Sequence, residues 1–311
     1  MFLTGWSKND LLVICAKQLS LIGCQRKGQN MIDVKNVYHD YSNKGHYAVS
    51  DITFKMNKGE IFGFLGPSGA GKSTMQNIMT GILKIQKGDV QYDGVSIKEQ
   101  KKDFFNSIGV SFEHPNVYKT LTGYENLKYY SALYSVDTLD PMMLLDSVGL
   151  KEDANKKAGE YSKGMKQRLT FVRSLINNPK YMFLDEPTNG LDPSNSLLVQ
   201  KIILQQKKRG ATIILTTHNM ELADRLCDTV AFISEGKVEA IDSPNALKLK
   251  YGTKQVKIDY LTDNKEKSTI IPLDEKERIS DFLMKNEVLK MHTSEATLED
   301  IFIKVTGKEL I

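Results

Sequence analysis

The chain has 311 residues, 26% of them charged and 41% hydrophobic, and a formal net charge of +4. That length accommodates one large domain plus an appendage, the composition is ordinary for a soluble globular protein, and so small a positive charge gives little support to a nucleic-acid or acidic-lipid surface. Cys15, Cys24 and Cys227 make neither a metal-ligand spacing nor a disulfide framework, which suits a reducing cytosol. No apolar run approaches the roughly 20 residues a membrane-spanning helix needs, so direct membrane insertion is not expected.

The first segment of note is "LLVICAKQLSLIGC" at 11–24. It resembles the apolar core of a signal peptide, but Lys17 interrupts it and the residues before it are not basic. Residues 1–30 read as a poorly ordered extension, with Met31 as an alternative start; a surface helix or partner-binding arm is the competing reading. From Met31 the pattern becomes strand-like. "IDVKNVYHDY" and "YAVSDITFKM" collect β-branched and aromatic residues around the turn-forming "SNKG", which predicts an antiparallel hairpin at the edge of a sheet.

"GEIFGFL" (59–65) is a short apolar strand that runs into "GPSGAGKST" (66–74). The loop fits G-x-x-x-x-G-K-[ST], in which successive backbone N–H groups curl around the phosphates of a nucleoside triphosphate. Gly66, Gly69 and Gly71 allow backbone conformations and close approaches that a side chain would block. Lys72 is suited to the β- and γ-phosphates and Ser73 to Mg²⁺, at the positive end of the helix that follows. An ordinary flexible turn would not explain a Lys-Ser-Thr run entering a helix.

Residues 113–180 show helical periodicity in "GYENLKYYSALYSV" and "GMKQRLTFVRSLINN" with few strand signals, and predict an inserted helical subdomain. Next, the apolar strand "YMFLDE" (181–186) delivers Asp185 and Glu186 to its C-terminal end, where open α/β sheets bind ligands. Neighbouring strand residues point opposite ways, so the two carboxylates need different tasks: Asp185 suits the Mg²⁺ shell, Glu186 a general base on the attacking water. A helix through "SNSLLVQKIILQQKKRG" leads to the strand "ATIILTTH" (211–218), consistent with a parallel sheet of βαβ units. The character changes at 251–252, and the remainder reads as a small α/β appendage. The organisation expected is therefore an extension (1–30), a nucleotide-binding domain (31–251) and an accessory domain (252–311).

With "YSKGMKQRL" (161–169) the motif set resembles the ATP-binding-cassette (ABC) family. The glycine loop, the strand ending Asp-Glu, "GLDP" and "TTH" stand in that family's order, and 161–165 occupies the place of its Leu-Ser-Gly-Gly-Gln signature. Tyr161, Lys163 and Met165 depart from that pattern while Ser162 and Gly164 keep it. The resemblance covers residues 31–250 and implies an α/β P-loop NTPase (RecA-like) core with an antiparallel β-subdomain, an inserted α-helical subdomain and a small C-terminal appendage.

The same resemblance implies site residues. Gly66, Pro67, Ser68, Gly69, Ala70, Gly71, Lys72, Ser73 and Thr74 would hold ATP. Tyr41 falls where an aromatic stacks on adenine, with Tyr47 as the alternative. Glu186, Lys72 and His218 would act in catalysis, and Ser73, Asp185 and Glu113 would hold Mg²⁺. Glu113 replaces the family's usual glutamine and adds a negative charge beside the triphosphate. Ser162 and Gly164 would act across a dimer on the partner's ATP, and Asp192 would lie in the loop that communicates across the interface. The partners implied are a transmembrane permease and a second cassette, a homodimer being expected. That places the chain in the cytoplasm, on the inner face of the membrane through the permease. The end "TLEDIFIKVTGKEL" resembles the drug- and antibiotic-exporter (ABC-2 type) branch. The competing function is a soluble cassette ATPase acting on nucleic acid or ribosomes. It is disfavoured because the chain has neither a coiled-coil or zinc insertion nor a second cassette. A kinase sharing only the glycine loop is a more distant alternative.

Overall fold

The computed structural model describes residues 32–42, 44–252, 255–262, 265–294 and 296–308. The expected extension over 1–30, with Cys15 and Cys24, lies outside them.

β1 (Ile32–His39) pairs antiparallel with β2 (Val49–Met56), the hairpin read from the alternating pattern. It does not sit at the edge of the core sheet. After β3 (Ile61–Leu65), the glycine loop and α1 (Lys72–Met79), a second hairpin of β4 (Lys87–Tyr92) and β5 (Val95–Ser96) adds to it. The result is a separate four-stranded sheet in the order β2-β1-β4-β5, with β1 in its interior. Phe54 of β2 faces β3: its ring stacks on Phe62 at 4.7 Å and meets Phe64 edge-on at 5.2 Å. Burying each such ring contributes about 1.5–3 kcal/mol, which fastens this sheet against the strand that carries the loop.

After β6 (Ile108–Ser111), the helical segment contains α2 (Gly123–Ser131), α3 (Pro141–Ser147) and α4 (Lys163–Arg173). α2 begins at a capping box in which Thr122 and Glu125 satisfy each other's backbone N–H groups, and Ser162 caps α4 by accepting from Met165 N. β7 (Tyr181–Asp185), α5 (Pro193–Lys208), β8 (Thr212–Thr217), α6 (Met220–Leu226), β9 (Thr229–Ser234) and β10 (Lys237–Asp242) complete a six-stranded sheet. Its order is β10-β9-β3-β8-β7-β6, parallel except at β10. β3, β7 and β8 are buried at every position, as expected of strands covered on both faces. The C-terminal ends of these central strands bring the glycine loop, Asp185 and His218 to one rim of the sheet.

α7 (Pro244–Tyr251) is followed by a three-stranded antiparallel sheet of β11 (Gln255–Thr262), β12 (Lys265–Pro272) and β13 (Glu287–Ser294), with α8 (Lys276–Lys285) between the last two strands. This unit has its own small core of Val256, Ile258 and Ile271, against which Ile279 and Phe282 pack. The last helix, α9 (Leu298–Thr306), returns to the main body. Leu298, Ile301 and Phe302 lie in the large core, and Phe302 meets Phe232 of β9 edge-on at 5.4 Å.

Candidate active site

The glycine loop is pinned by its backbone. Gly69 and Gly71 have φ of +79° and +106°, a region where a side chain is strained. A Cβ on Gly66 would stand 2.2 Å from Ile233 O, and one on Gly71 2.3 Å from Ala48 O. Pro67 accepts from Ala70 N at 3.3 Å to close the turn, Ser68 and Gly69 are exposed, and α1 starts directly after Gly71 with no acid in its first turn. A helix start leaves N–H groups without intrahelical acceptors, so the N-terminus of α1 carries partial positive charge at the loop.

Lys72 is 8% exposed and turned back onto the loop, its Nζ donating to Gly66 O at 2.6 Å and Pro67 O at 2.9 Å. Burial lowers its pKa, against the opposing pull of the Glu186, Asp185 and Glu113 carboxylates. The side chain is thus a cation held in place by two carbonyls, which an anion of higher charge can recruit.

Asp185 ends β7. Its Oδ2 accepts from Ser73 Oγ at 3.0 Å and its Oδ1 from the Thr216 hydroxyl, the residue directly opposite it on β8. Burial raises its pKa despite these two donors, and the negative charges of Glu113 and Glu186 add to the rise. A buried carboxylate next to a hydroxyl is a pair of hard oxygen donors. Mg²⁺ takes one or two carboxylates together with phosphate oxygens, so the set fits a cation shared with a bound triphosphate. Among the described residues no cluster of three His, Cys, Asp or Glu side chains could hold a metal by itself.

Glu186 is not a strand residue. It follows β7 with φ of +44°, so the two carboxylates are separated by a turn of the backbone rather than by strand alternation. Its N–H donates to Thr216 O at 2.9 Å, and its carbonyl accepts from Asn189 N at 3.0 Å and from the buried Gln167 Nε2 at 3.4 Å. The carboxylate is 9% exposed. Its Oε2 accepts from the Thr217 hydroxyl at 2.9 Å, and its Oε1 accepts from His218 N at 2.7 Å and lies 2.6 Å from His218 Nδ1. The His218 side chain is itself 55% exposed.

Tyr41 is exposed and lies edge-on to His39, with its hydroxyl 3.2 Å from Thr74 Oγ1. Tyr47 is also exposed but leans edge-on against Tyr38. Glu113 stands half-buried just past β6, close enough for its charge to bear on both Lys72 and Asp185.

A second group lies at the starts of α4 and α5. Ser162 and Asp192 cap those helices, and a Cβ on Gly164 would approach Gly190 O and Leu191 at 3.6 Å. Among the described residues no hydrogen bond or ion pair joins Ser162 or Asp192 to the loop 66–74. Hydrogen bonds and mutual charge effects tie Lys72, Ser73, Asp185, Glu186 and His218 together, with Glu113 and Tyr41 at their margin, whereas Ser162, Gly164 and Asp192 form a group of their own at the starts of α4 and α5.

Thr216, Thr217 and Gln167 belong to the first place although sequence reasoning assigned them nothing. The "TTH" run held the signal for the two threonines, but only the folded end of the β7/β8 ladder shows that each hydroxyl meets one carboxylate. The spacing of Gln167 along α4 gives no such hint.

The model of the ABC transporter family matches residues 49–189. The fluoroquinolones export ATP-binding protein of Mycobacterium tuberculosis is 44% identical over 293 residues, which cover 93% of this chain and 97% of that protein. An uncharacterized ABC transporter ATP-binding protein of Bacillus subtilis is 35% identical over 212 residues, 68% of this chain and 69% of that one. Among solved structures, the ATP-binding subunit of an ABC transporter superposes with a TM-score of 0.65 at 26% identity, covering 71% of this chain and 93% of the other. A dimeric ATP-binding cassette in a post-hydrolysis state with ADP and Pi gives 0.63 at 25% identity, covering 68% and 98%. The chain belongs to the ABC transporter family, and its fold is that of the family's ATP-binding cassette ATPase subunits.

Proposed function

We propose that the chain is the ATP-hydrolysing subunit of an ABC exporter, driving transport through separate permease chains by closing on a second cassette and reopening after hydrolysis. The observation that carries the ATPase part is the Ser73–Asp185 contact, which unites the glycine loop with the end of an apolar strand 112 residues later. The loop N–H groups and Lys72 bind the triphosphate, Lys72 exchanging its two carbonyl acceptors for phosphate oxygens. Tyr41 takes the adenine in preference to Tyr47, because only Tyr41 is bonded to the loop. Ser73, Asp185 and Glu113 hold Mg²⁺, which when bound neutralises charge on the phosphates. Glu186 takes a proton from the attacking water and His218 keeps the carboxylate oriented. Ser162 and the N–H groups around Gly164 donate to the partner's nucleotide, which is why they stand apart from this chain's own loop, and Asp192 lies at the same interface.

Export is supported by similarity along 97% of a relative named for fluoroquinolone export. Among the described residues no helix is long and apolar enough to cross a membrane, which agrees with a path made by another chain. An apolar groove of about 330 Å³ lined by Ile82, Phe105, Tyr130 and Leu133, beside the exposed rings of Tyr118 and Tyr129, suits a permease helix and would hold the chain at the inner face of the membrane.

Lys72→Ala tests the ATPase reading. Loss of Mg·ATP binding, or turnover reduced by roughly 10²-fold or more, is expected from removal of the loop's only cation; unchanged hydrolysis overturns it. Co-expression with a candidate permease tests the transport reading. The chain should sediment with membranes only when the permease is present, and membrane association without it counts against the proposal.

A further inference from the structure

The two oxygens of Glu186 are held in different ways. Oε2 accepts from the hydroxyl of Thr217, whose side chain is fully buried, whereas Oε1 accepts from the His218 backbone N–H at 2.7 Å and lies 2.6 Å from Nδ1 of the His218 ring, whose side chain is 55% exposed. The Thr217 hydroxyl also accepts from Asn219 N at 3.0 Å. A hydroxyl has a single hydrogen to donate. Since the second contact makes the oxygen an acceptor, that hydrogen is committed to Glu186. The backbone gives no freedom either, because Glu186 N and O are both bonded and φ is +44°. Oε2 is therefore held from inside the sheet by a buried side chain, and Oε1 by a backbone N–H with the more exposed His218 ring beside it.

We infer that Thr217 is a positioning residue for hydrolysis: its hydroxyl on Oε2, together with the His218 N–H on Oε1, fixes the Glu186 carboxylate so that Oε1 can pass from the His218 ring to the attacking water without turning. The inference rests on the reading of Glu186 as general base. The lock lies where the β7/β8 ladder ends. β7 and β8 run parallel with Asp185 opposite Thr216, and just beyond the last strand pair the turn at Glu186 brings its carboxylate onto the Thr217 hydroxyl. Thr216 holds Asp185 and Thr217 holds Glu186, one β8 hydroxyl for each acid. Without the Thr217 hydroxyl the His218 N–H is the backbone contact left on a carboxylate whose last torsion is intrinsically broad, and a general base displaced from the water's proton loses rate without losing nucleotide affinity.

The test uses full-length protein carrying Thr217→Val, Thr217→Ser, Glu186→Gln, or Thr217→Val together with Glu186→Gln. Steady-state Mg·ATP hydrolysis and Tm are measured for each. Thr217→Val keeps the shape and removes the hydroxyl, so kcat should fall about 10-fold or more while KM changes by less than about 3-fold. Thr217→Ser restores the donor and should keep kcat within about 3-fold of the parent. In the Glu186→Gln background Thr217→Val should cost nothing further, because the base it positions is already gone. A serine variant as slow as the valine variant, or a valine effect of equal size in both backgrounds, overturns the inference, since either would mark a purely structural role. If Glu186→Gln is slow and Thr217→Val is not, the positioning role fails and the general base stands; if Glu186→Gln is itself as fast as the parent, both fall.

Discussion

Gly71→Ala separates backbone strain from steric contact in the phosphate loop. Two costs meet at Gly71: φ of +106°, and a Cβ placed 2.3 Å from the carbonyl oxygen of Ala48, which is backbone and cannot rotate away. The first is worth about 1–3 kcal/mol for a non-glycine residue in a sparsely populated region, and the second adds about 1–3 kcal/mol of overpacking. Gly69→Ala meets only the first, because φ is +79° and nothing lies within 4 Å of its Cβ. With roughly 2–4 °C of Tm per kcal/mol in a domain of this size, the extra overpacking cost should make Gly71→Ala melt roughly 2–12 °C below Gly69→Ala. The shift imposed on the loop should also weaken ATP far more in the former. Differential scanning fluorimetry with and without Mg·ATP reads both effects. Equal Tm values for the two variants, or equal stabilisation by ATP, would refute the argument that contact with Ala48 sets the loop's shape.

Asp185 is buried, and its pKa is raised by that burial. For a carboxylate so shifted, the folded state favours the protonated form, so stability without ligand falls as pH rises through and above the ordinary carboxylate range. Asp185→Asn should therefore melt higher than the parent at pH 7 without nucleotide, with the gap closing toward pH 4. It should also lose most of the stabilisation given by Mg·ATP; a lower melting temperature at pH 7 contradicts this. Tyr41→Ala should weaken ATP by roughly 1–3 kcal/mol, the worth of a base on an aromatic face, and Tyr47→Ala should leave binding unchanged; equilibrium binding of a fluorescent ATP analogue distinguishes them, and the reverse order moves the adenine site to Tyr47. Ser162→Arg places bulk at the cap of α4 and should keep the protein monomeric on size-exclusion chromatography with ATP present, whereas an ATP-dependent dimer of that variant removes Ser162 from the interface.

Much of the site was legible because its chemistry is local in sequence. A nine-residue loop between a buried strand and a helix, and two acids behind four apolar residues, each carry their own meaning. What escaped was non-local. Thr217 and Glu186 are 31 residues apart, and only the pairing of β8 with β7 together with the turn at Glu186 makes them partners. The turn at Glu186 escaped as well, because φ of +44° at a glutamate is imposed by Thr216, Asn189 and Gln167 and not by any glycine or asparagine at that position. In the fold, β4 and β5 were missed because "GDVQYDGVSI" is only half apolar. Its pairing partner β1 supplies the other side. The apolar spacing Leu298, Ile301, Phe302 marks a helix face, but nothing in that spacing says the face enters the main core beside Phe232 rather than the small sheet before it.

The role proposed for Glu186, held by Thr217 and His218 beside Lys72 and Asp185, is to activate the water that cleaves ATP. Its most direct test is the single-turnover hydrolysis of Mg·ATP by Glu186→Gln, which keeps size and hydrogen-bonding capacity and removes the proton acceptor. ATP binding like the parent's is expected, with hydrolysis slower by roughly 10²-fold or more, at the lower end of what general bases contribute. Hydrolysis at the parent's rate would place the base elsewhere and contradict the account.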